Sequence, residues 1–561
     1  MKIRRALSAL ITISTALVAF ALLAGAAGAV TGVPVWRLTQ RTSQGPTWPH
    51  ISGSKAVWTQ WGSTSADIFV DDLTTGTRHV IGRNGMLPRI SGSKVVWMAV
   101  STGSSIPVYL YDLTTGVKRQ IGSGALVSSP VVSGNYVAWA VMTGPEESQV
   151  YLHRIDTGVT TKLTSSAVPK IGVGVGGGKL VWAEINLSNF STTLIAHDIP
   201  SSTETTISTS LGEIYDVDVE PMGKSFVYSS FGGGADPGIY EYDFTGGSLR
   251  RLTATQITQR EPSVYGNRVV WTDDRNSGFT ENSDIYVFDL ITGVERRLTD
   301  NATPQYSPDI YGNKVVWGDM RYSLDGSGED VMLADISRLD MTPPVTSMIT
   351  NSYSTRSSKT GTFKVSWTGS DPSPSEGGIV AWNVQVKTGS GGTWSYLRSN
   401  TTDRYAYING RPGHTYYFRV RAKDTAGIWG NWSPVRSTTV PYDDRSAAAK
   451  IGFAGIWANS TSEHFLGTIR YSRATSDTVE FSFRGSRVAF ITDKAFDHSE
   501  ANIYIDGVFQ SKVDTYAATQ SFRQSVFEKA FPSIGNHRIT VENVGTPGRK
   551  RLDVDAFAVI N

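Results

Sequence analysis

The sequence predicts an all-β protein: a propeller of seven four-stranded blades, or six if one unit has degenerated, followed by two further β modules. Three observations predict it. A phrase of the form Gly-x-x-Val-Val-Trp recurs, loosely kept, with its aromatic residue at Trp58, Trp97, Trp139, Trp182, Tyr228, Trp271 and Trp317. Successive copies lie 39 to 46 residues apart, the period of a propeller blade. The stretches around each aromatic alternate apolar and polar side chains, as half-buried strands require, and no helical period is sustained. Finally, 56 glycines, 15 tryptophans and 23 tyrosines suit turn-rich β modules and not disorder.

From the N-terminus, Met1-Lys2-Ile3-Arg4-Arg5 is basic and leads into an apolar or small run from Ala6 to Ala29. With Ala27-Gly28-Ala29 at its end, this reads as an export signal, residues 1-29, cleaved after Ala29. A retained anchor is the alternative, because the run is just long enough to span a bilayer. The absence of cysteine excludes disulfides and a lipidated cysteine. A secreted or cell-surface location is expected, with no membrane insertion after signal removal.

Residues 30-339 carry the repeat. Each unit opens on a turn glycine (Gly53, Gly92, Gly134, Gly177, Gly223, Gly266, Gly312) before the aromatic strand. A second strand follows, as in Val108-Tyr109-Leu110-Tyr111-Asp112-Leu113, then a Thr-Gly hairpin turn and a third strand. The seventh unit lacks its last strand. Val35-Trp36-Arg37-Leu38-Thr39 matches Arg296-Arg297-Leu298-Thr299, so the N-terminal strand is expected to complete that unit and close the ring.

Glu261-Pro262-Ser263-Val264-Tyr265-Gly266-Asn267-Arg268-Val269-Val270-Trp271 and its copy, Ser307 through Trp317, resemble the propeller repeats of the TolB-like superfamily and of related bacterial cell-surface proteins. That family has an extra N-terminal domain and usually six blades, whereas this chain carries other modules behind the propeller.

Asp340-Met341-Thr342-Pro343-Pro344 is a short stiff linker. Beyond it, Phe363-Lys364-Val365-Ser366-Trp367, Tyr416 through Ala422 and Gly430-Asn431-Trp432-Ser433-Pro434 resemble a fibronectin type III domain. The resemblance implies an immunoglobulin-like β-sandwich over residues 340-442, usually a spacer. From 445 to 561, Ile503-Tyr504-Ile505-Asp506-Gly507, Gly535-Asn536-His537 and Val554-Asp555-Ala556-Phe557 look like the jelly-roll modules of bacterial glycan-active and cell-surface proteins. That resemblance implies carbohydrate binding and a structural calcium near Asp555; a hydrogen-bonded strand residue is the alternative for Asp555. Trp457, Tyr471 and Tyr516 are the candidate sugar-stacking residues.

Charges nearly cancel, 52 Lys+Arg against 50 Asp+Glu, which gives no electrostatic ground for a nucleic-acid partner. The eight histidines form no His-x-x-x-His pair, and there is no Gly-x-Ser-x-Gly elbow or phosphate loop. Glu261, Asp273, Asp274 and Asp319 are carboxylates for glycoside chemistry only by being present. Asp273-Asp274-Arg275 and Asp319-Met320-Arg321 follow the repeat tryptophan in register, which favours a structural Asp–Arg pair. The strand-two Asp residues (Asp72, Asp112, Asp198, Asp243, Asp289, Asp335) are expected to cap turns.

The expectation is an exported, monomeric, non-catalytic protein binding polysaccharide or cell-envelope protein, with no cofactor beyond that calcium. A polysaccharide lyase or hydrolase, targeted by the jelly roll, is the alternative.

Overall fold

The computed structural model describes residues 33–39, 45–62, 65–100, 105–125, 128–144, 146–189, 191–231, 237–254, 257–276, 282–323, 328–354, 359–373, 378–447 and 449–560. Residues 1–29, read from sequence as an export signal, lie outside them. The chain forms two compact units, Met1–Met341 and Thr342–Asn561. Among the described residues there is no α-helix, and no helix is long and apolar enough to cross a membrane.

Among the described residues, the first unit contains seven four-stranded antiparallel sheets. The first runs through Pro46–Ser52, Lys55–Trp61, Ala66–Asp72 and Thr77–Gly82 in simple meander order. The first strand of each sheet packs against that of the next, and the first strand of the seventh sheet, Gln305–Tyr311, packs back on Pro46–Ser52. The arrangement is a β-propeller. Each aromatic-strand hairpin turns on its glycine, which takes φ of 52 to 71° at all seven positions, a conformation a Cβ would disfavour. Trp58, Trp97, Trp139, Trp182, Tyr228, Trp271 and Trp317 are all buried to at least 99%.

The seventh sheet is completed from the other end of the unit. Val35–Arg37 pairs antiparallel with Asp330–Asp335, Val35 opposite Ala334 and Arg37 opposite Met332. The Leu-Thr ending of this strand has a physical role. Thr39 Oγ1 accepts the Val331 N–H at 2.9 Å and donates to Asp330 at 2.9 Å. Thr164, Thr253 and Thr299 accept the N–H of Val150, Ile239 and Ile285 in the same way.

In the second unit, residues 345–439 form a sandwich. One sheet contains Val345–Ile349, Thr362–Ser370 and Tyr405–Asn409; the other contains Ile379–Thr388, Ser395–Thr401, Thr415–Asp424 and Arg436–Thr439. Alternation in Thr415–Asp424 sends Phe418, Val420 and Ala422 inward onto Trp367 and Trp382. Residues 442–560 form a seven-stranded sheet, built on the long strands Thr478–Lys494 and Ser521–Asn543, and a small sheet of Ala458–Ser460, Ile469–Ser472 and Leu552–Val554. These modules share packing: Phe465, Ala489, Ile491, Ala556 and Ala558 belong to the same buried cluster as Trp367 and Phe418.

Candidate functional site

The propeller axis is polar. Where the first strands meet, six of them carry a register shift, and in five a residue inside it takes a positive φ: Trp48, Leu87, Gly172, Glu261 and Ser307. Such bulges re-aim side chains towards a centre. Here they gather His50, Arg89, Asp216, Asp218, Glu261 and Asp309. Arg89 reaches His50 Nδ1 at 2.9 Å, and the same nitrogen lies 3.1 Å from Asp309. Burial, with Arg89 next, holds the His50 imidazole below its usual pKa. Burial, with Asp309 next, pushes the Asp218 carboxyl up to about 7.

Most of these carboxylates serve the next sheet. Asp218 accepts the Val264 N–H at 2.8 Å, Glu261 the Ser307 N–H at 2.7 Å, and Asp309 the Ile51 N–H at 2.7 Å. These carboxylates therefore tie the fifth sheet to the sixth, the sixth to the seventh and the seventh back to the first. The other carboxylates singled out from sequence also hold structural bonds. Asp273 takes the Trp271 indole N–H at 2.9 Å and is gripped by Arg275; Asp319 does the same with Trp317 and Arg321. Asp274 pairs with Arg260 and Ser283. The strand-two Asp residues accept turn N–H groups, as Asp112 does from Thr114 at 3.0 Å and Asp289 from Ile291 at 2.9 Å.

One end of the terminal module presents a different surface. The segments around Ala495 and Tyr516 lie side by side, joined by the Ala495 N–H to Thr515 O and the Ala517 N–H to Ala495 O, both 3.2 Å. Phe496, 71% exposed, and Tyr516, 47% exposed, stand on these two segments. The Arg549 guanidinium lies 5.3 Å from the Tyr516 ring and is forked onto Asp514 at 2.5 and 3.1 Å. Those hydrogen bonds hold the Asp514 carboxyl below its usual pKa, so it stays an acceptor. Tyr471 is half-buried, with Arg551 4.3 Å over its ring; the Arg551 N–H donates to Asp497 O, beside Phe496. Trp457 donates its indole N–H to Ala454 O at 3.1 Å, and its ring packs edge-on against Phe453. An exposed aromatic ring edged by a charged donor and acceptor, as Tyr516 is by Arg549 and Asp514, is the chemistry that takes the apolar face and hydroxyls of a sugar ring. Sequence reading missed Phe496, Asp514 and Arg549, because only the fold brings these three segments together.

Asp555 is fully buried, at the start of the last strand. One carboxylate oxygen accepts the Phe465 N–H at 2.9 Å; the other has no hydrogen-bond partner. Asp493, also fully buried, has one oxygen on the Arg523 N–H at 3.0 Å and the other, without a hydrogen bond, 2.9 Å from His464 Nδ1. His464 Nδ1 completes the group, with one donor atom from each residue within 4.8 Å of the others. Calcium takes six to eight oxygens. A nitrogen and two carboxylates, each with one oxygen already engaged, do not fit it.

No family model matches the chain. Two curated proteins of Flavonifractor plautii match short stretches. The A type blood N-acetyl-alpha-D-galactosamine deacetylase is 31% identical over 122 residues, covering 22% of this chain and 15% of that protein. The A type blood alpha-D-galactosamine galactosaminidase is 30% identical over 105 residues, covering 18% of this chain and 10% of that protein. The chain thus spans no more than 15% of either relative's length. Among solved structures, the β-propeller domain of the Trilobed protease from Pyrococcus furiosus aligns with TM-score 0.43 and 14% identity, over 52% of this chain and 93% of that one. An oligogalacturonate lyase in complex with manganese gives 0.40 and 14%, over 54% and 93%. TolB from Acinetobacter baumannii gives 0.32 and 17%, over 50% and 79%. These are partial likenesses, and nothing about function follows from them.

Proposed function

We propose that this chain is an exported, non-catalytic binding protein that recognises extracellular or cell-envelope glycan through the end of its terminal module. The seven sheets act as the blades of one TolB-like propeller, offering a second recognition face for glycan or protein. The sandwich of fibronectin type III kind spaces it, and the terminal module is a carbohydrate-binding jelly roll. The observation that carries this reading is the exposed Tyr516 ring beside the Arg549–Asp514 fork. Both curated relatives are named for chemistry on amino sugars, which supports glycan as the ligand class.

Those names also favour a second reading, a polysaccharide-active lyase or hydrolase with the terminal module as its targeting device. A glycan array combined with a turnover screen on the mature chain separates the two. Retention without product supports the binding protein; product release overturns it in favour of the enzyme.

A further inference from the structure

The unpartnered atoms of His464, Asp493 and Asp555 carry an inference independent of the glycan reading. All three residues are at least 98% buried. His464 Nδ1 and one Asp493 oxygen approach to 2.9 Å, yet neither makes a hydrogen bond of acceptable geometry. The second oxygen of Asp555 is also without a partner. Asp443 and Asp444 add negative charge nearby. Buried carboxylates are tolerated when paired or when they coordinate a metal. A tetrahedral zinc ion, with ligands at about 2.0–2.2 Å, sets its donor atoms about 3.3 Å apart. Donor atoms all within 4.8 Å of one another, and a mixed nitrogen and oxygen set, suit such an ion.

We propose that His464 Nδ1 and the free oxygens of Asp493 and Asp555 form a buried site for a divalent transition-metal ion of the zinc type. The donors come from three separate stretches of chain. His464 precedes the turn Phe465–Gly467, Asp493 lies near the end of Thr478–Lys494, and Asp555 directly precedes Ala556–Ile560. That turn also meets the sandwich module: the Leu466 N–H donates to Lys359 O at 2.7 Å, and Phe465 sits in the shared core. The ion therefore staples the seam between the two modules of the second unit. Carboxylates whose other oxygens are fixed by backbone N–H groups, as here, are already oriented for the metal.

The test is elemental analysis of the full mature chain produced with supplemented zinc, followed by chelation and titration with Zn²⁺, Co²⁺ and Ca²⁺. The expected result is one equivalent of zinc. Cobalt should give the visible absorption of a low-symmetry nitrogen and oxygen site, and the unfolding temperature should fall on chelation and recover with zinc. His464→Gln and Asp493→Asn should each weaken zinc binding by more than about tenfold. If a variant does not fold, the cobalt spectrum of the parent decides. No metal bound, binding of calcium alone, or zinc affinity unchanged in both variants would overturn the site and leave a protonated acid cluster in its place.

Discussion

At the scale of single residues, the propeller repeats a tryptophan whose surroundings differ from sheet to sheet. In the sixth and seventh sheets the indole N–H is taken by Asp273 or Asp319, each held by an arginine two positions on. Trp58, Trp97 and Trp139, followed two positions on by Gln60, Ala99 and Val141, leave theirs without a hydrogen-bond partner. Trp271→Ala or Trp317→Ala should cost about 3–5 kcal/mol in chemical denaturation, the range for large aromatic truncations in a core. Retained stability in both would remove these residues from the core. Asp218 supplies a pH test. Its folded pKa of about 7 lies above the unfolded value of about 3.9, so the native state holds the proton more tightly. Its contribution is full below about pH 4 and is lost as pH rises through about 7. Asp218→Asn, which can still accept the Val264 N–H, should flatten that part of the stability profile. An unchanged slope between pH 4 and 7.5 would show that Asp218 does not titrate there.

At the scale of elements, the closing strand matters most. Thr39→Ala removes a buried hydroxyl that both accepts and donates, and should destabilise the propeller by about 1–3 kcal/mol. A chain starting at Ser43 loses the whole Val35–Arg37 pairing and should melt lower and less cooperatively; an unchanged melt would contradict the clasp. This closure was legible in sequence because Leu38-Thr39 repeats Leu298-Thr299, and the threonine has one bonding duty in both. The strand-two Asp caps and the Asp–Arg pairs were legible for the same reason, since repetition in register points to a shared backbone task. The bulges at the axis were not: Trp48, Leu87, Glu261 and Ser307 share a backbone conformation but no side-chain type. Nor was the setting of Tyr516, whose neighbour Arg549 lies 33 positions away. Asp555 was singled out, but its companions His464 and Asp493 lie 91 and 62 positions away and obey no local spacing.

At the scale of the whole molecule, a ring of sheets and a two-module unit serve different physical ends. The propeller spends its buried carboxylates on holding its own ring together. The terminal module leaves aromatic rings in solvent with a charged fork beside them, an arrangement that costs hydrophobic exposure and adds nothing to the core. The central claim is that this end binds glycan without turning it over. Its most direct test is retention on insoluble polysaccharides, including amino-sugar polymers, for the parent chain and for Phe496→Ala/Tyr516→Ala, with the released fraction analysed for product. The account predicts that the parent is retained, no product forms, and the double variant washes through with an unchanged melting profile. Product in the wash, or equal retention of parent and variant, would contradict it.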